Sequence, residues 1–75
     1  MQMADVTIHL HETLDAGRRG QIADTIRSAK GVMGVANHEH TAHLMVIEYD
    51  PATIKAHDLL RLVTDGGVHA ELVGL

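Results

Sequence analysis

The apolar residues of this chain change period along its length, and that succession limits its fold more than any other feature. Val6, Ile8 and Leu10 alternate with Thr7, His9 and His11 in ADVTIHLH (residues 4–11), the period of a strand with one buried face. From Ala16 to Ala29 the spacing becomes helical. Ile22 and Ile26 lie one turn apart, Ala23 and Ala29 sit close to the same face, and Lys30 followed by Gly31 makes a helix stop. Two strands follow, VMGVANHEH (32–40) and HLMVIEY (43–49), joined as a hairpin by a short turn near His40 to Ala42. Asp50-Pro51 ends the second of them, because proline cannot donate to a ladder. KAHDLLRLVTD (55–65) returns to helical spacing with Ala56, Leu59, Leu60 and Val63 on its buried side, and Gly66-Gly67 stops it. VHAELVGL (68–75) alternates Val68, Ala70 and Leu72 against His69, Glu71 and Val73.

The order β-α-β-β-α-β predicts a ferredoxin-like α+β fold: a four-stranded antiparallel sheet with both helices on one face and the other face open. Its length of 75 residues allows one domain, 1–75, which buries only about 60% of the surface its unfolded form exposes. With no Phe or Trp and a single Tyr, Tyr49, the core must be aliphatic, and Met33 and Met45 read as core fillers. Cysteine is absent, which removes disulfides, thiolate nucleophiles and thiolate metal ligands. MQMADV has neither a basic region nor an apolar run, so the expected location is cytoplasmic. No apolar stretch approaches the roughly 20 residues of a membrane span. A net charge of -4 and the lack of a basic patch interleaved with aromatics argue against nucleic acid as a partner. Seven histidines are the unusual number, and protonating all of them would reverse the sign of the net charge.

Three stretches resemble the heavy-metal-associated domain, the fold of small copper chaperones and of N-terminal modules of metal-pumping ATPases. They are KGVMGV (30–35), VIEYDPATI (46–54) and the run from DLLRLV to GGVHAELV (58–73). The family's metal site is a Gly-Met-x-Cys-x-x-Cys loop between the first strand and the first helix. Counting back from Gly31-Val32, the cysteine positions fall on Asp15 and Arg18, and the glycine and methionine positions on Glu12 and Thr13. Every signature residue is replaced. Thiolates select Cu(I) there, and Asp and Arg cannot substitute for them, so the resemblance supplies no ligand to this chain.

Three places could still carry chemistry. In HETLDAGRRG (11–20), Arg18 and Arg19 stand in the first helical turn beside Gly17 and Gly20, a setting for an anion or an acidic partner. The same loop also fits a solvated turn in which Glu12 and Asp15 balance the arginines and Asp15 caps the helix. On the open sheet face, the first and last strands should be antiparallel neighbours, placing His11 near His69 and His9 near Glu71, with Glu48 on the adjacent strand. Imidazole with carboxylate suits Zn(II), Ni(II), Cu(II) or Fe(II). A polar, solvated face rich in histidine is the alternative. The third place is NHEHTAH (37–43), where His38, His40 and His43 could chelate a metal at a hairpin tip expected at the far end of the sheet from HETLDAGRRG.

No nucleotide loop, serine turn or pocket-forming constellation marks an enzyme. The leading expectation is a non-catalytic domain binding a divalent transition metal through His9, His11, His69 and Glu71, in trafficking, storage or sensing. The rival is a protein-interaction or assembly module without metal, self-associating through Leu44, Val46 and Val73 on its open face.

Overall fold

A computed structural model describes residues 2–73. Strand β1 (Ala4–Leu10) leads into helix α1 (Ala16–Arg27). Strand β2 (Val32–Ala36) and strand β3 (Leu44–Tyr49) follow, then helix α2 (Ala56–Thr64) and strand β4 (Ala70–Val73). The four strands form one antiparallel sheet in the order β2-β3-β1-β4. This is the ferredoxin-like arrangement that the succession of periods implies. The helices cover one face, α1 packing over β2 and α2 over β4.

Each element forms for local reasons. In β1 the residues Val6, Ile8 and Leu10 are buried, while Asp5, Thr7 and His9 face the other way. Helix α1 starts at Asp15, whose carboxylate accepts the Arg18 N–H at 2.7 Å, and it buries Ile22, Ala23 and Ile26. Helix α2 buries Leu59 and Val63, and the Asp58 carboxylate reaches back to the N–H of Lys55. These side chains meet Met45, Ile47, Tyr49 and Val68 in a core that is aliphatic apart from the one tyrosine.

Three local expectations change. The β2–β3 connection is no tight turn: β2 ends at Ala36, and a 3-10 turn over Glu39–Thr41 fills the link to Leu44. Met33 is exposed rather than a core filler, because the β2–β3 register shifts between Val32 and Gly34 and the extra residue is turned out of the ladder. The last strand starts at Ala70 rather than Val68, and the expected final positions Gly74 and Leu75 lie outside the described residues.

Strand directions decide which loops become neighbours. Strands β1 and β2 both run antiparallel to β3, so their C-terminal ends lie at the same edge of the sheet. Strand β4, also antiparallel to β1, begins there. The β1–α1 loop, the β2–β3 hairpin end and the α2–β4 loop therefore share one pole. The Leu10 N–H donates to the His43 carbonyl at 2.7 Å and the His11 N–H to the His69 carbonyl at 2.9 Å. The hairpin tip is thus beside HETLDAGRRG and not at the far end of the sheet.

At the opposite pole Gly31 adopts φ 98°, and a Cβ built on it would lie 2.8 Å from the Thr53 methyl carbon. Its carbonyl also accepts the Asp50 N–H at 2.8 Å. The substitution Gly31→Ala combines a left-handed backbone with a steric clash. It is expected to cost about 1–3 kcal/mol, measured by urea denaturation.

Candidate metal centre

Strand pairing places the site. In the β1–β4 ladder His9 is directly opposite Glu71, and Thr7 is opposite Val73. Side chains alternate along a strand, so His9 and Glu71 both project from the sheet face that the helices leave open. His11 continues the same parity just beyond the end of β1. The His11 Nε2 lies 3.2 Å from Glu71 Oε1, and the His9 Nδ1 lies 3.7 Å from the same oxygen. The two imidazole centroids are 5.3 Å apart, their planes tilted by 56°. One donor atom from each of His9, His11 and Glu71 falls within 4.8 Å of the others.

The His9 Nδ1 atom is sealed from solvent and has no hydrogen-bond partner among the described residues. At 3.7 Å the Glu71 oxygen is too distant to serve. A buried polar atom left without a partner typically costs about 1–3 kcal/mol. A divalent cation seated between the three donors would satisfy it. The His9 side chain as a whole is 40% exposed, so the group lies at the surface with this one atom turned inward.

His69 is brought to the same pole but turned elsewhere. It precedes β4 by one residue, and its N–H donates to Glu12 Oε1 at 2.7 Å while its Nδ1 lies 3.0 Å from that oxygen. These bonds clamp the β1–α1 loop to the α2–β4 loop. Glu48 shares the open face but pairs with Asp5, four residues along β3 from Leu44, the partner of His9. That is roughly 13 Å along the strand, so Glu48 stands apart from the group.

The loop residues have structural partners. Asp15 caps α1. Arg18, in the first turn of α1, donates to the Gly66 carbonyl at 2.6 Å and ties the helix start to the α2–β4 loop. Arg19, only 8% exposed, spends its guanidinium on the Leu14 carbonyl at 2.8 Å, the Asn37 Oδ1 at 3.0 Å and the Glu39 carboxylate. Asn37 in turn donates to the carbonyls of Ala42 and Leu44. A buried arginine strut fastening the hairpin end to α1 could not be read from the sequence, where Arg18 and Arg19 look alike.

Solved structures with this fold include copper-binding and mercury-bound domains. Oxidized MerP from Ralstonia metallidurans CH34 superposes with a TM-score of 0.86 at 18% identity, covering 97% of this chain and 100% of that one. The yeast copper transporter domain CCC2A, in apo and Cu(I)-loaded states, gives 0.83 at 20% identity over 93% of this chain and 94% of its own. A copper-binding domain from HMA7, a P-type ATPase, gives 0.84 at 16% identity over 93% of each chain. The fold is that of the heavy-metal-associated domains. No protein-family model matches the chain, and no curated protein matches its sequence.

A thiolate site for Cu(I) does not fit this member of the fold. The chain has no cysteine, and at the two positions where the spacing of the family's pattern puts its cysteines, Asp15 is a helix cap and Arg18 ties the first turn of α1 to the α2–β4 loop. The donor set present consists of imidazole and carboxylate. No helix among the described residues is long and apolar enough to cross a membrane.

Two outcomes test this geometry. The His69 backbone N–H, helped by its ring, holds the Glu12 carboxyl below the ordinary carboxylate range. The clamp therefore stabilises the fold at pH values above that range and is lost as acid takes the solution through the lowered value. In a carboxyl NMR titration Glu12 should titrate below a model-peptide glutamate, and His69→Ala should return it only partway, because the backbone bond survives. Separately, Arg19→Met should leave Asn37 Oδ1 and the Leu14 carbonyl short of a donor and cost about 1–3 kcal/mol in urea denaturation. A change within experimental error would show that the strut is dispensable.

Proposed function

We propose that this chain is a small, non-catalytic metal-handling domain that binds one divalent transition-metal ion through His9, His11 and Glu71. The observation that carries the proposal is the convergence of two imidazoles and a carboxylate within 4.8 Å on paired strands. Borderline nitrogen donors with one hard oxygen favour Zn(II), Ni(II) or Cu(II) over Cu(I). His69 belongs to the support of the site: by holding Glu12 it fixes the loop that His11 leads into.

The copper-binding ATPase domain and the copper transporter domain with this fold support a role in moving metal. A centre that is half exposed, at one pole of a small domain, suits handing an ion to a partner better than burying it for good. Transfer, storage and sensing share the same first requirement, saturable binding at this group.

A second reading, an assembly module, draws support from Val46 and Val73. Both are exposed and flank Thr7 on the open face, next to the half-buried Leu44. It calls for self-association that is independent of metal, which light scattering after size-exclusion chromatography detects directly.

Calorimetric titration with Zn(II) tests the leading reading. The wild type should bind one equivalent, and the double variant His9→Ala/His11→Ala should lose saturable binding. At free Zn(II) about 100-fold above Kd the wild type should gain about 2.7 kcal/mol of stability and the variant none. Binding should weaken on acidification, because protons compete for the imidazole lone pairs. Equal affinity in wild type and variant would refute the site.

A further inference from the structure

The shared pole brings another histidine to the metal group. His43 precedes β3, and its carbonyl accepts the Leu10 N–H at 2.7 Å, which anchors its backbone beside the end of β1. Its ring centroid lies 6.2 Å from that of His9, with the planes tilted by 40°. Two imidazoles bound to one Zn(II) at about 2.0–2.1 Å have centroids roughly 5–6 Å apart. The spacing between His9 and His11, 5.3 Å, already meets that condition, and the spacing to His43 meets it after a small ring rotation. His43 is exposed, so it can rotate between staggered side-chain positions without displacing the core. His9, His11 and Glu71 supply three donors, one short of a closed tetrahedron, and the unpartnered His9 Nδ1 lies on the side of this group.

We propose that His43 is the fourth ligand, and that the metal fastens the 37–43 hairpin end onto the open face of the sheet. This rests on the reading of His9, His11 and Glu71 as the metal group. Three ligands stand on or directly after paired strands, whereas His43 comes from the irregular link between two strands. It is therefore the ligand that gives way first when an incoming donor takes the ion. His38 and His40, with ring centroids 6.2 Å apart on the same link, stack on each other and stay outside the centre.

The test follows the imidazole nitrogens by long-range proton–nitrogen NMR during titration with Zn(II), together with calorimetry on His43→Ala, His9→Ala and wild type. Alanine at 43 keeps the carbonyl that Leu10 uses, so His43→Ala should fold. The ring nitrogens of His43 should shift with the same saturation point as those of His9 and His11, while those of His38 and His40 stay in place. Even partners that only orient a ligand change metal affinity by about 10–100-fold, so His43→Ala should weaken Zn(II) binding by about tenfold or more at unchanged stoichiometry. Unmoved His43 nitrogens with wild-type affinity in His43→Ala, and binding lost in His9→Ala, would overturn the fourth ligand and leave the three-residue centre standing. Undiminished binding in His9→Ala would overturn both.

Discussion

Everything at the candidate centre depends on β1 pairing antiparallel with β3 on one side and β4 on the other. That arrangement aligns His9 with Glu71 and gathers three chain connections at one pole. It also puts six of the seven histidines at that pole or on the strand that leads to it. Only His57, in the first turn of α2 beside Asp58, stands at the opposite one. Side-chain ties then hold the connections against each other. Arg19 joins α1 to the hairpin end, Arg18 joins the first turn of α1 to the α2–β4 loop, Glu12 joins the β1–α1 loop to the α2–β4 loop, and the His11 backbone joins the same two loops. A centre built on paired strands is positioned more firmly than one built on a loop, since the ladder fixes the distance between opposite residues.

Within a fold whose other members include Cu(I)-loaded and mercury-bound domains, the proposed donor atoms of this chain stand elsewhere. The positions where the family's pattern has cysteines hold a helix cap, Asp15, and a tie from the first turn of α1 to the α2–β4 loop, Arg18. The proposed donors lie a few residues earlier in the chain, at the end of β1, and across the ladder on β4. Nitrogen and oxygen donors in place of sulfur would change which ion such a site holds and would make proton competition at imidazole a control on loading. A single scaffold can host either chemistry because its backbone does not depend on the ligands: the aliphatic core formed by Ile8, Leu10, Ile26, Ile47, Leu59 and Val63 holds the sheet and helices together without them.

Much of this was legible in the sequence for physical reasons. Alternation in β1 and in the final strand fixed which face His9 and Glu71 occupy, and the fold's strand order then made them opposite neighbours. Asp15 read as a helix cap and is one. What failed to show were effects that depend on more than period. Met33 looks like a strand residue facing the core, yet a register shift rotates it outward. His69 has the right parity for the metal group, but it lies before the ladder begins and bonds to Glu12 instead. Arg19 resembles any exposed charge until Leu14, Asn37 and Glu39 are seen around it. The hairpin tip was expected at the wrong pole, although β1 and β2 both oppose β3 and must end together.

The most direct measurement is X-ray absorption at the zinc edge on protein loaded with one equivalent of Zn(II). The account predicts a first shell of nitrogen and oxygen near 2.0–2.2 Å, as Zn–imidazole and Zn–carboxylate bonds require, with the outer-shell scattering that imidazole rings produce. That pattern should vanish in the His9→Ala/His11→Ala variant. A spectrum of hydrated zinc in the wild type, or an imidazole pattern that persists unchanged in the variant, would contradict it.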